Sequence, residues 1–466
     1  MGVKQIMSKK INIYSDKYPS KYIGFPSATK ANGLVFISGV GPSYPDISRQ
    51  GFSHIPKEAQ NKSQHYSFVD EVEGKVASDS WVSHANMDGI LIEAGSGGDQ
   101  ILRQHIWQKD KRFFPVYEDV RQAVQKIPSP SSGLGVLDLY GSQKYTIGID
   151  AIAVCPGENP DLKAREVLVK LDDKNLPSAS FYSQAVKSGP MVFTAGHIPI
   201  KTSEEGMPLV SGYKDVNIEG RFLETGRSHP DSRDGPIAAQ SWYVYNELRR
   251  TLETQGLELS DTVKSTVFLA DVRDYPTFHR IHKHFFPKNG PALTVSGFEE
   301  VGHRGCLLEI ELTAVGAHNN FTRSQVEWSR EAPFAAPAAV KTGEFIFYSG
   351  VLGLDQQNKL VNEVDDLSTT DKFKEGSKGH KSSILELQCW AALDLLSRTS
   401  KDAGSDIRNL VKLGVYVKEP SDFDIFSNVV FQFIEKKDLP AVECIIIPNP
   451  GPVKEALIQI EAIGII

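Results

Sequence analysis

The sequence predicts an α+β protein made of three tandem β-β-α-β-α-β-β units. A glycine-closed hydrophobic strand recurs as Val-Phe-Ile-Ser-Gly-Val at 35–40, Val-Phe-Thr-Ala-Gly-His at 192–197 and Ile-Phe-Tyr-Ser-Gly-Val at 346–351. A second phrase follows each copy: Ile-Asp-Ala-Ile-Ala-Val at 149–154, Ile-Glu-Leu-Thr-Ala-Val at 310–315 and Ile-Glu-Ala-Ile-Gly-Ile at 460–465. From Gly39 to Gly196 is 157 residues and from Gly196 to Gly350 is 154, too long for a solenoid repeat and the size of an ordinary domain. Units are expected at 10–156, 165–316 and 328–466, with linkers near 156–165 and 317–333.

The second unit shows the pattern most clearly. Phe181 to Val186 leads through the turn Lys187-Ser188-Gly189-Pro190 into a strand over 191–195. A polar stretch over 201–235 reads as an insertion. Trp242, Tyr245, Leu248 and Leu252 then fall at helical spacing over 240–254, and Gly256 supplies a helix stop. The β-branched run 262–270 is a strand. Tyr275, Phe278, Ile281 and Phe285 make one stripe of a second helix over 274–286, and strands at 292–298 and 306–315 close the unit.

The corresponding helix, strand and helix are expected at 81–94, 101–108 and 114–124 in the first unit. In the third they are expected at 384–397, 410–417 and 422–433. The polar stretch 43–80 reads as an irregular insertion without chemistry. Each unit should carry its two helices on one face of a mixed sheet, leaving an apolar sheet face in need of a partner.

Composition narrows the function. With 40% hydrophobic and 23% charged residues, the chain has enough apolar material for real cores. A formal net charge of -7 argues against general nucleic-acid binding. Cys155, Cys306, Cys389 and Cys444 form no CxxC pair and read as buried thiols of a reduced compartment. No apolar run is long enough to span a bilayer, and the first residues lack a signal-peptide core. The expectation is a cytoplasmic protein with no membrane or nucleic-acid partner, no cofactor and no metal. His279, His282 and His284 read as a solvated helix face, because no ligand set completes them. Gly95-Ser96-Gly97-Gly98 follows a helix and reads as its stop, and no nucleotide-binding fingerprint appears.

Phe-Tyr-Ser-Gln-Ala-Val followed by Val-Phe-Thr-Ala-Gly-His-Ile-Pro resembles the opening of the Rid/YjgF (RidA-like) family. Val267 to Asp271, Phe285-Phe286, Pro291-Ala292 and Leu308 to Glu311 resemble its closing half. The resemblance recurs once per unit, strongest in the second and most drifted in the first. It implies a chorismate-mutase-like fold and single-domain subunits that trimerise with sheets inward and helices outside. Three copies in one chain then imply an intramolecular pseudo-trimer, as a monomer or small homo-oligomer, with small-molecule ligands in the inter-domain clefts. Three beads, each trimerising with other chains, are the alternative. A covalently linked partner is always present at high effective concentration, which favours the first arrangement.

The family hydrolyses enamines and imines, holding the substrate carboxylate with an arginine and orienting water with a glutamate. The arginine position holds Ser131, Leu293 and Val442, so all three copies have lost it. The glutamate position holds Gly148, Glu309 and Gln459. The serine of the Ser-Gly turn is Ser38, Ala195 and Ser349. The resemblance therefore gives Glu309, His197 and Tyr182 as candidate catalytic residues, a Glu and a His being suited to proton transfer at neutral pH. Ser38, Ser131, Arg304, Ser349, Glu443, Cys444 and Gln459 are candidate substrate-binding residues. Two functions stay open: a deaminase or related hydrolase with altered substrate, or a non-catalytic small-molecule binder or scaffold of the same fold. The chorismatases use a related fold, but none of their defining residues is present.

Overall fold

The computed structural model describes residues 10–43, 51–60, 67–142, 144–170, 182–217, 235–369, 373 and 383–466. About half of the insertion read at 201–235, part of that at 43–80, and Phe181 lie outside these residues. The described residues build three mixed sheets with one internal order. The first sheet runs Ile11–Ile13, Ala28–Ala31, Leu34–Ile37, Ile147–Val154, Ile101–Gln108, Ser131–Gly135. The second runs Glu166–Lys170, Ser183–Ser188, Met191–Thr194, Leu308–Val315, Thr262–Leu269, Ala292–Gly297. The third runs Ser324–Val326, Ala339–Thr342, Phe345–Tyr348, Ile458–Ile465, Leu410–Val417, Ala441–Ile446, and adds Asp138–Leu139 from the first unit at its edge. In each, the long central strand is parallel to the one beyond it and antiparallel to the last strand in sequence.

Two helices serve each sheet: Lys75–Glu93 with Phe114–Val124, Gly235–Glu253 with Tyr275–Phe285, and Ile384–Asp402 with Asp422–Phe433. Side chains alternate faces along a strand, and the repeated phrase uses this. Val35, Val192 and Ile346 pack beneath the helices of their own units, whereas Phe36, Phe193, Phe345 and Phe347 enter one core shared by all three sheets. Each of these fully buried aromatic rings is worth about 1.5–3 kcal/mol of transfer free energy.

The sheets also face one another through charge. Each central strand is interrupted near its start by a register shift, at Ile101/Arg103, Thr262/Lys264 and Leu410/Lys412. Such a shift re-aims the next side chain, and each cation donates to a carbonyl of another sheet. Arg103 reaches Leu312 O at 2.7 Å, Lys264 reaches Tyr348 O at 2.8 Å and Lys412 reaches Ile37 O at 2.7 Å. The same cations pair with Glu311 at 3.3 Å, Glu461 at 3.4 Å and Asp150 at 3.5 Å. His105 bridges Asp150 at 3.0 Å and Glu311 at 3.1 Å. Burial would lower its pKa, but the two carboxylates outweigh that and raise it to about 10.

Three expectations need correction. Helix begins well before residue 81, within the stretch read as irregular, because Val76 and Ala77 pack with Phe52, Ile55, Val116 and Val120 in a small extra core. The linker read at 317–333 contains the strand Ser324–Val326, which pairs with Ala339–Lys341. His282 is not on a solvated face: it is fully buried, with its Nδ1 2.7 Å from the Tyr245 hydroxyl. Among the described residues no helix is long and apolar enough to cross a membrane.

Candidate active site at the Gly196 turn

Where each Ser-Gly or Ala-Gly turn ends, its glycine N–H leaves its own sheet. Gly39 donates to Val442 O at 2.9 Å, Gly196 to Ser131 O at 3.2 Å and Gly350 to Leu293 O at 2.9 Å. The three acceptors are the positions from which the family arginine is missing. Three clefts result, and their chemistry differs.

In the cleft of Gly196, Glu309 comes from the last strand of the second sheet, opposite Phe268. Glu309 and Glu311 share a strand face, but their fates diverge. Arg103, His105 and Ser132 satisfy Glu311, whose carboxyl falls to about 2 despite burial. Glu309 is 3% exposed. It accepts a long hydrogen bond from Gly302 N at 3.3 Å, and the Ser132 hydroxyl is a second partner. Burial raises its pKa to about 7, with Lys111 opposing the rise and Glu311 adding to it. This is the range a general base needs at neutral pH. A Cβ on Gly196 would lie 1.8 Å from Glu309 Oε1 and 2.7 Å from Ser132 Oγ, so glycine is what admits the carboxylate.

Lys111 borders this acid and Arg121 stands behind Ser131, and neither follows from the sequence pattern. Lys111, in the turn after the central strand of the first sheet, donates to Gly133 O at 2.5 Å. Burial lowers its pKa, with Glu309, Cys306 and Glu300 opposing. Arg121 is fully buried on helix Phe114–Val124. It donates to Ser131 Oγ at 2.9 Å, Ser129 O at 2.6 Å, Glu118 at 3.2 Å and Gln125 at 3.3 Å. A guanidinium thus stands beside Ser131, but its donors are spent on holding that strand and it is no free carboxylate clamp. Tyr182 is half-buried beside these groups. Burial, then Glu309 and Glu118, push its phenol far up, which keeps it a neutral donor.

The other candidates separate from this set. His197 is committed at both nitrogens, Nδ1 at 3.0 Å from Ala195 O and Nε2 at 3.2 Å from Thr251 Oγ1. Burial lowers it to about 4, so it is a neutral tie between sheet and helix and not the expected proton carrier. Arg304 is exposed on the turn before the last strand. Ser38 and Ser349 are not placed for a ligand. Ser38 donates to Pro26 O at 2.7 Å and accepts from Val442 N at 2.9 Å. Ser349 donates to Pro337 O at 2.6 Å and accepts from Leu293 N at 2.9 Å. Both join sheets, a role Ala195 cannot fill.

The third cleft is closed. Gln459 spends its Nε2 on Val295 O, Ser296 Oγ and Pro450 O at 2.7–3.1 Å, and its Oε1 lies against Gly350. The Gly39 cleft has no acid at Gly148. Its acid is Glu443, supplied by the facing strand, where the other clefts have Ser132 and Thr294. Cys444 beside it is fully buried, and burial followed by Glu443 raises its thiol well above the usual range, so it is no nucleophile.

The fold and the buried acid at a glycine turn define a protein of the Rid/YjgF kind. A model of the family described as endoribonuclease L-PSP matches residues 173–316. A RutC family protein of Pyrococcus abyssi is 31% identical over 111 residues, 24% of this chain and 68% of that protein. One of Pyrococcus horikoshii is 30% identical over 135 residues, 28% of this chain and 85% of that protein. The chain belongs to this family through its middle region. The 2-iminobutanoate/2-iminopropanoate deaminase of Escherichia coli is 26% identical over 143 residues, 30% of this chain and 91% of that protein. Among solved structures, an endoribonuclease-like protein of Klebsiella pneumoniae is 31% identical, matched over 29% of this chain and all of its own, at a TM-score of 0.27. A chorismatase is 11% identical, with 78% of this chain and 93% of its own covered, at a TM-score of 0.46.

Proposed function

We propose that the chain is a hydrolytic deaminase of small imines or enamines, acting in the cleft between the first and second sheets, with a substrate altered from the family's. The observation that carries this reading is the position of Glu309: buried against Gly196, poised near pH 7 and flanked by Lys111 and Tyr182. As carboxylate, Glu309 takes a proton from water while the water oxygen bonds to the carbon of the protonated imine. The proton held on Glu309 then passes to the amine nitrogen, making it a leaving group as the hydroxyl proton returns to Glu309 and from there to the departing ammonia. Collapse of the resulting carbinolamine breaks the C–N bond, leaving a carbonyl and ammonia. Tyr182 donates a hydrogen bond to substrate, and the Lys111 charge stabilises the ionised base. With Arg121 internally paired and no arginine at Ser131, an α-carboxylate has no bidentate fork to meet it.

The three sheets are read as an intramolecular pseudo-trimer of units at 10–156, 165–316 and 328–466. The cyclic order of the glycine, cation and carboxylate contacts supports this. Only one cleft then keeps the acid of the deaminase, and the closed third cleft is structural. The experiment is ammonia release from freshly generated imines and enamines, with and without α-carboxylates, against buffer and the Glu309→Gln variant. Acceleration that disappears in the variant is expected. No acceleration of any member would leave the small-molecule-binding reading.

A further inference from the structure

A cavity of about 190 Å³ lies on the helix side of the first sheet, and no residue of the three glycine turns lines it. Its apolar walls are Val72, Val76 and Phe113, and Gln108, at the end of the central strand, forms its floor. Side chains alternate faces along a strand. Ile106 packs against Met87, Ile90 and Leu91 of helix Lys75–Glu93, so Gln108 points to that same side, while Trp107 between them enters a core shared with the other sheets.

The other two sheets supply the comparison. Gln108 pairs with Ile147 as Leu269 pairs with Leu308 and Val417 with Ile458. Leu269 and Val417 are fully buried in the apolar cores beneath their own helices. The fold thus fills this position twice with an aliphatic side chain and once with an amide. Gln108 is 1% exposed, and its Oε1 has no hydrogen-bond partner. A buried amide left unsatisfied is costlier than an aliphatic side chain in its place. The neighbouring hydroxyl does not relieve it, because Thr146 Oγ1 donates to Asp79 at 2.7 Å.

The facing wall is a π-helical turn, Asp70–Gly74, that runs into helix Lys75–Glu93. Gly74 has no side chain to displace the Asp70 carboxylate, which accepts from Phe52 N at 2.7 Å and holds the turn. Widened turns of this kind are rare and recur at functional sites. This one sets Val72, 46% exposed, at the mouth of the cavity. The rim carries no net charge. Lys109 pairs with Asp138 at 2.8 Å and Asp110 with Arg112 at 2.5 Å, and Glu71 balances Lys75.

We propose that this cavity is a ligand site, separate from the Glu309 cleft, for a neutral single-ring aromatic compound that carries one hydrogen-bond donor. The ring lies against Val72, Val76 and Phe113, and the donor meets the Gln108 amide oxygen. An apolar cavity of about 150 Å³ takes one benzene ring, so this one takes a ring with a small substituent. The balanced rim gives an ion no advantage, and a ring without a donor leaves Gln108 unsatisfied. This site stands whether or not Glu309 is catalytic.

The test is saturation-transfer NMR on the full chain with phenol and anisole, a pair that differs in the donor, and with benzoate and benzylamine as charged rings. Phenol is expected to exceed each of the others at least about fivefold, and to do so equally in Glu309→Gln. It should fall to the level of anisole in Gln108→Leu, the residue of the second sheet at this position, and in Gln108→Met, which keeps the side-chain length. Folding of both variants is checked by circular dichroism. No phenol signal, anisole or a charged ring matching phenol, or phenol keeping its lead in either folded variant would each overturn the proposal.

Discussion

Replacing Glu309 by glutamine separates catalysis from stability, because the two should move in opposite directions. The Glu309 carboxyl is displaced upward from its ordinary 4.5 to about 7, first by burial. A shift of about 2.5 pKa units corresponds to roughly 3 kcal/mol between the protonation states, at 1.36 kcal/mol per unit. The folded state binds this proton more tightly than the unfolded state. Stability contributed by the protonated acid is therefore full below pH 4.5, is lost as pH rises toward 7, and stays lost above. Glutamine copies the shape of the protonated acid and never ionises. Unfolding free energies of wild type and Glu309→Gln should nearly coincide at pH 4.5 and diverge with rising pH. By pH 8 the variant should be more stable by up to about 3 kcal/mol. Taking the difference between the two proteins cancels Glu443, which burial also raises to about 7. Denaturant titration at four pH values reads the effect, and ammonia release reads the activity, which should vanish. A variant equally or less stable than wild type at pH 8 would refute the reasoning, making Glu309 a structural acid that satisfies backbone amides.

Lys111→Met should move the acid limb of the pH–rate profile upward from about 7, because the Lys111 charge opposes the rise of Glu309; an unmoved limb would remove Lys111 from the site. Gly196→Ala places a methyl 1.8 Å from Glu309 Oε1. The carboxylate can swing aside, so turnover should be lost with little change in unfolding free energy, and retained turnover would show that its position is unimportant. Arg121→Met takes the cation from buried Glu118, at a cost of up to about 3–5 kcal/mol; a change under about 1 kcal/mol would show that this ion pair does not hold the strand at Ser131 in place. If the sheets form one pseudo-trimer, the mass in solution should be that of one chain or a small oligomer. A mass of three chains would favour beads that trimerise between molecules.

The periodic elements were legible in the sequence because burial writes its period directly into hydrophobic spacing. The strands Ile101–Gln108 and Leu410–Val417 and the helices Phe114–Val124 and Asp422–Phe433 fall where the pattern puts them. The repeated phrase likewise marks the three glycine turns. The pattern failed where burial is local and mixed with polar residues. Ser78, Asp79, Ser80 and His84 are all buried in helix Lys75–Glu93, and a buried Asp or His carries no apolar signature.

The candidate site divides the same way. Sequence alone determined that one copy retains a glutamate at the family position and that every copy lacks the arginine, since both are matters of residue type at a register position. Tertiary structure decided everything that depends on which groups meet. It turned His197 onto Thr251, spent Ser38 and Ser349 on neighbouring strands, closed Gln459 on three acceptors, and brought Lys111 to Glu309 and Lys21 to Glu443. Lys21 and Glu443 are 422 residues apart in the chain. No local spacing encodes such a pairing, because hydrogen bonds and charge act through distance in space, and only the packing of one sheet against another fixes that distance.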